Sequence, residues 1–226
     1  IDTTEAEHFK ITAEKLAAAI TPKTKCMILN NPCNPTGIVY SRQTLEGVAK
    51  LCVEHNILVF SDEIYNKIVY DGTECCSIAT LPGMRERTIT MNGFSKAFAM
   101  TGWRLGYIIA PPEIIETAKK VHDFLTVGAA APLQEAVVTG LKFGPGYYDD
   151  LLAKYTHKKE LFLKGLDELN ITHTDPEGAY YVLLDISEFG YESDLEFCED
   201  LAHYAGVGAV PGSSFFREPV NHLIRL

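Results

Sequence analysis

The chain lacks any run near the roughly 20 consecutive apolar residues that cross a bilayer. It also lacks a basic start followed by an apolar segment, so a soluble protein with no membrane partner and a cytoplasmic location is expected. Basic residues are the minority, with 20 Lys and Arg against 30 Asp and Glu and a net charge of −10. Nucleic acids and anionic membranes call for clustered cations, so neither is an expected partner and any positive charge that matters should be local. No CxxC pair occurs among the six cysteines, which reads as reduced thiols rather than a disulfide framework, with Cys75 and Cys76 as two partly buried neighbours. The seven histidines have no metal-ligand spacing, the glycines form no GxGxxG loop, and there is no internal repeat or low-complexity tract.

What is present is enough apolar sequence, 46% of 226 residues, to bury a large core. Cys26 to Leu29 is a short apolar run that ends in a Pro/Asn/Gly-rich turn, Asn30 to Gly37, and reads as a buried strand delivering a loop. Leu45, Val48, Ala49, Cys52 and Val53 then keep helical spacing after Ser41, a start signal. Ile57 to Phe60 is apolar again and stops at Ser61, Asp62 and Glu63. Strand, helix, strand is the βαβ signature of a parallel sheet covered by helices on both faces. Thr88 to Met91 and Leu105 to Ala110 are two further strand candidates.

After Pro111 and Pro112 the spacing of Ile114, Ile115, Ala118, Val121 and Leu125 predicts a helix. A break at Gly144, Pro145 and Gly146 precedes a long helix with Leu152, Tyr155, Phe162, Leu166 and Leu169 along one side. The domain boundary is placed there, residues 1–144 against 145–226. The second part offers a strand from Ala179 to Leu184 and a helix from Leu195 to Ala205 with a Ser193/Glu196 capping box and a Gly206 stop. Short strands at Gly208 to Val210 and Leu223 to Leu226 follow. The fold class expected is α/β: a three-layer αβα unit on a mainly parallel sheet, plus a small α+β domain. Both ends fall in structured-looking sequence, so the chain is expected to be a fragment and both domains incomplete.

Ligands of open α/β sheets bind outside the carboxyl ends of the strands. Asn34 follows the first strand, Asp62 ends the second and Lys96 comes shortly after the third. Each has an ordinary reading: a turn residue for Asn34, a helix N-cap for Asp62, a solvated surface amine for Lys96. Against the last stands a small and apolar neighbourhood, Phe94, Ala97, Phe98, Ala99 and Met100, which would desolvate a charged amine.

Four features occur in order: NNPCNPTG from Asn30, SDEIY from Ser61, GFSKAFAMTGWRLGY from Gly93, and a closing LIRL with Arg225. Together they resemble the fold-type I, class I/II aminotransferases, over the whole chain. That resemblance implies pyridoxal 5'-phosphate as cofactor and transamination between an L-amino acid and a 2-oxo acid through a Lys96 Schiff base. It implies Asp62 against the pyridine nitrogen, Tyr65 and Asn34 on the phenolic oxygen, Arg104 on the phosphate and Arg225 on the substrate α-carboxylate. Glu63 would be a structural carboxylate. The family's frequent serine three residues before the lysine is Gly93 here. The aromatic pair of PGSSFF, Phe215 and Phe216, reads as core packing.

The family's glycine-containing phosphate loop and the ring-stacking aromatic lie upstream of the NPxNPTG turn and have no match in Ile1 to Lys25. The full-length protein is expected to be a homodimer, and the chain alone weak or inactive. Alternatives are another enzyme on the same scaffold, a carbon–sulfur β-lyase or an aminocyclopropane-carboxylate-synthase-like enzyme, and a non-catalytic aminotransferase-like regulator domain.

Overall fold

The computed structural model of the chain describes residues 1–218 and 220–226. After a short helix α1 (Ala13–Ala19), the apolar run becomes β1 (Cys26–Asn30). Helix α2 (Arg42–Glu54) follows, and the Ser41 side chain accepts from the Thr44 N–H as expected of its cap. Leu45, Val48, Ala49 and Cys52 are buried at 0–4% exposure. Val53, on the same helical stripe, is 41% exposed and sits at its margin.

Strands β2 (Leu58–Asp62), β3 (Thr88–Gly93) and β4 (Gly106–Ile109) complete a four-stranded sheet of order β1-β2-β3-β4. The first two pairings are parallel and β3 with β4 is antiparallel. Register sets Asn30 opposite Asp62, Asp62 opposite Met91 and Gly93 opposite Gly106. The carboxyl ends of three strands and the amino end of the fourth therefore share one edge. The 12-residue connection from Phe94 to Leu105, which carries Lys96 and Arg104, turns at that edge.

Helix α3 is a single turn (Phe94–Ala97), followed beyond β4 by α4 (Pro112–Thr126), α5 (Ala131–Leu141) and the long α6 (Pro145–Glu168). Helix α5 is an element that the sequence pattern does not set apart. Strand β5 covers only Leu183–Asp185, helix α7 runs Asp194–Asp200 and widens into a π-type turn to Ala205, and Gly206 ends it in the left-handed region at φ 67°. Strands β6 (Val210–Pro211) and β7 (Leu223–Arg225) join β5 in an antiparallel sheet of order β5-β7-β6.

Two cores form, and the second sheet serves both. Leu183 and Leu223 pack into the main core with Leu29, Leu45, Ile57 and Val59. Their chain neighbours Leu184 and Ile224 face the other way, into a smaller core with Leu166, Val182, Ile186 and Cys198. This is the period-2 alternation of a strand buried on both faces.

Candidate active site

The Asn30–Gly37 loop is held from inside. Asn30 Oδ1 accepts from the Asn34 N–H at 2.6 Å while its amide nitrogen donates to the Asp62 carbonyl at 3.2 Å. Buried Asn31 accepts from the Tyr40 N–H at 3.0 Å. Gly37 closes the loop at φ +70°, and a Cβ there would lie 2.5 Å from Cβ of Pro176, so this position requires glycine on both counts. These contacts leave the Asn34 side chain exposed, where its Oδ1 accepts from Arg225 Nη1 at 2.7 Å, 191 positions away.

At the end of β2 two adjacent carboxyls differ in setting. Glu63 is buried at 7% exposure and takes hydrogen bonds from the hydroxyls of Ser61 (2.9 Å) and Ser77 (2.6 Å). Its oxygen is thus satisfied by the fold. Among the described residues the half-buried Asp62 carboxylate accepts only the Ile64 N–H at 3.2 Å, and no helix directly follows it to be capped. Buried Tyr65 shares a 2.7 Å hydroxyl–hydroxyl bond with Tyr181. Burial first, and that bond second, hold the Tyr65 phenol far above its usual pKa, so it stays protonated.

Lys96 follows Gly93, whose missing side chain has a local reason. A Cβ there would meet the Leu105 carbonyl oxygen at 3.0 Å and Cα of Gly106 at 3.2 Å, inside the tight β3–β4 pairing. A serine at this position would press on backbone. The Lys96 amine is half-buried, 5.7 Å above the Tyr65 ring centre and 5.4 Å above that of Tyr180, and no carboxylate pairs with it among the described residues.

Arg104 ends the turn Thr101–Trp103 with φ 54°, a left-handed conformation that costs a non-glycine residue about 1 kcal/mol. Its Nη1 donates to the Thr101 carbonyl at 2.8 Å, and the Thr101 hydroxyl donates to the Ser95 carbonyl at 3.1 Å, tying the turn to α3. The guanidinium is exposed at the same sheet edge as Lys96, with no other side-chain partner among the described residues.

Arg225 lies on β7, paired to Leu183 and Val210. Its guanidinium carbon sits 4.4 Å from the Tyr181 ring centre and 4.8 Å from that of Phe215. The cation thus packs against two rings, is hydrogen-bonded to Asn34, and has no carboxylate partner among the described residues.

A continuous chain of contacts therefore runs from Asn34 through Arg225, Tyr181 and Tyr65 to Lys96. Asp62 stands opposite Asn30 in the sheet register, whereas Arg104 shares the edge and, among the described residues, its side chain hydrogen-bonds only within its own turn. Sequence reading missed Tyr180 and Tyr181 because Ala179 to Leu184 looked like a strand, whose neighbouring side chains alternate. Ala179 instead adopts φ 60°, and both tyrosines turn toward Tyr65 with ring centres 5.3 and 5.6 Å away. The doubled aromatic after Gly178 and Ala179 was the available signal. The Phe215–Phe216 pair, expected as core packing, divides: Phe216 packs inward against Phe9 at 5.9 Å, whereas Phe215 meets Arg225.

Known proteins share this arrangement of elements. Residues 1–225 match the family described as Aminotransferase class I and II. The chain is 40% identical over 217 residues to an aspartate aminotransferase of Pyrococcus abyssi, covering 95% of this chain and 56% of that protein. It is 40% identical over 220 residues to aromatic-amino-acid aminotransferase 2 of Thermococcus litoralis, again 95% against 56%. An aromatic aminotransferase structure from Pyrococcus horikoshii superposes with a TM-score of 0.91 at 38% identity, covering 99% of this chain and 60% of that one. The chain spans about half the length of the curated relatives it matches. With the match running from the first residue almost to the last, the chain belongs to the class I and II aminotransferases.

Proposed function

We propose that the protein transfers an amino group between an L-amino acid and a 2-oxo acid, with Lys96, Asp62, Tyr65, Asn34, Arg104 and Arg225 as its working residues. One observation carries this reading: an amine, a protonated phenol and a ring-packed guanidinium, drawn from three separate stretches of chain, meet beside the carboxyl end of the sheet. Members of the family depend on pyridoxal phosphate. The donor set fits that group: an amine for its aldehyde, a carboxylate for its ring nitrogen, a phenol and an amide for its phenolic oxygen, and a free guanidinium for its phosphate.

When bound, the cofactor supplies an electron sink for the charge left at the substrate Cα. Lys96 would hold the aldehyde carbon and, once displaced by substrate, move the proton to and from Cα. Asp62, whose oxygens the fold leaves largely free, would keep the ring nitrogen protonated. Tyr65, held protonated by burial, would donate to the phenolic oxygen. Arg225 would grip the α-carboxylate in a bidentate fork and fix the orientation of Cα toward Lys96.

Residues 1–144 and 145–226 are proposed as parts of the large and small domains, since every residue of the smaller core comes from the second segment. A homodimer is supported by the apolar surface of α4, where Phe124 is 93% exposed. A cytoplasmic location fits six free thiols. Among the described residues no helix is long and apolar enough to cross a membrane.

Borohydride reduction of the pyridoxal-phosphate-loaded protein, followed by peptide mapping, tests the site. The label should fall on Lys96, and a label on another lysine overturns the assignment. Appearance of the pyridoxamine form on adding an amino donor, without release of ammonia, separates transamination from lyase chemistry.

A further inference from the structure

Tyr181 touches two of the proposed working residues at once. Its hydroxyl is 2.7 Å from the Tyr65 hydroxyl, and its ring face carries the Arg225 guanidinium at 4.4 Å. The backbone that presents it is locked. A Cβ at Gly178 would sit 2.8 Å from Cβ of Pro32, and the Ala179 carbonyl accepts the Tyr70 hydroxyl at 2.6 Å. Tyr180, beside it, is stacked on Tyr155 at 5.3 Å and 10°. Tyr181 thus has little freedom to swing away, and whatever it holds is held by the fold.

We propose that Tyr181 is a positioning residue that couples the carboxylate clamp at Arg225 to the phenol at Tyr65. The inference rests on the transaminase reading above and deepens it. Either hydroxyl of the pair can donate. Once Tyr65 turns its proton to the cofactor's phenolic oxygen, Tyr181 donates in its place, and a phenol that accepts one hydrogen bond is a stronger donor of the next. The ring performs a second task, packing with Phe215 against the Arg225 guanidinium so that its free N–H donors stay turned toward the substrate.

The two tasks separate by mutation in the pyridoxal-phosphate-loaded protein. Tyr181→Phe keeps the ring and removes only the hydroxyl. Its visible cofactor band should titrate about 0.4 to 1 pH unit above wild type, the worth of one ordinary hydrogen bond, with kcat lowered and KM for the amino acid moved by less than about twofold. Tyr181→Leu removes the ring as well, and KM should rise about 5- to 30-fold, the range of a desolvated cation–ring contact. In a Tyr65→Phe background the hydroxyl of Tyr181 has nothing to support, so adding Tyr181→Phe should leave the band's titration where Tyr65→Phe alone puts it.

A Tyr181→Phe protein that titrates with wild type or below it, additive shifts in the double variant, or an unchanged KM in Tyr181→Leu each overturn the proposal. Borohydride mapping on the same preparations keeps the failures apart. A wild-type label away from Lys96 sinks the functional reading itself. A Lys96 label in both wild type and Tyr181→Phe, with identical titrations, sinks only the role of Tyr181 and also establishes that the variant folds around its cofactor.

Discussion

At Arg225 the guanidinium has two aromatic rings within 4.8 Å and one amide hydrogen-bonded to it, and its remaining N–H donors meet no carboxylate among the described residues. Truncation to Ala removes the charge that would meet a substrate carboxylate, so KM for the amino acid should rise roughly 10- to 150-fold, the worth of ~1.5–3 kcal/mol for hydrogen bonds to a charged group. Steady-state kinetics checks this, and a fall in kcat alone would point to a different role. The thiols permit a prediction of another kind. Burial pushes Cys52 and Cys75 up to about 11, with the Glu63 charge adding to the effect at Cys75. A neutral form favoured by the fold stabilises below the unfolded thiol's ordinary value and ceases to as pH passes the folded one. The melting temperature should therefore hold to about pH 9 and decline toward pH 11, and at pH 8 exposed Cys26 should alkylate well before buried Cys52 and ahead of half-buried Cys75.

Among the elements, α2 was legible to its first residue, because a serine cap and a 3.6-residue apolar stripe both act locally. Its energetics follow exposure rather than stripe membership. Leu45→Ala should cost about 2–5 kcal/mol and Val53→Ala about 0.5 kcal/mol or less, read from urea midpoints at constant slope. Helix α7 was legible at both ends, with the Ser193 side chain accepting from the Glu196 N–H and Gly206 closing the stretch, although the return bond of the capping box does not form among the described residues and the last turn is π rather than α. The stretch from Ala179 to Leu184 was not. A left-handed alanine leaves no mark on hydrophobic pattern, and only the bonds from its N–H to the Ile68 carbonyl and from the Tyr70 hydroxyl to its own carbonyl show why it is held so. Those partners are more than 100 positions away.

Across the whole molecule one surface stands out. Phe124, Leu125 and Val127 are 93%, 75% and 82% exposed, and Ile109 of β4 is 63% exposed. The periodicity of α4 correctly made a helix, yet its stripe meets no core over the last turns, since periodicity reports that a face is apolar and not what covers it. Phe124→Glu with Leu125→Glu should reduce self-association in sedimentation velocity and lower dye binding to exposed apolar surface. Stability of the isolated chain should change by no more than about 0.5 kcal/mol, because these side chains contribute little to its core.

Residue order alone determined the strands at the centre of the sheet, the capped helices and the polar strand ends, because each depends on spacing within a dozen or so residues, and the family, because four such local motifs follow one another along the chain. Tertiary structure decided that Asn34 meets Arg225 across 191 positions, that Gly93 is enforced by the backbone of Leu105 and Gly106, and that two neighbouring tyrosines face one site. The physical reason is the same in each case: close approach between distant segments is set by strand register and chain packing, and neither is encoded in the local pattern of any single segment.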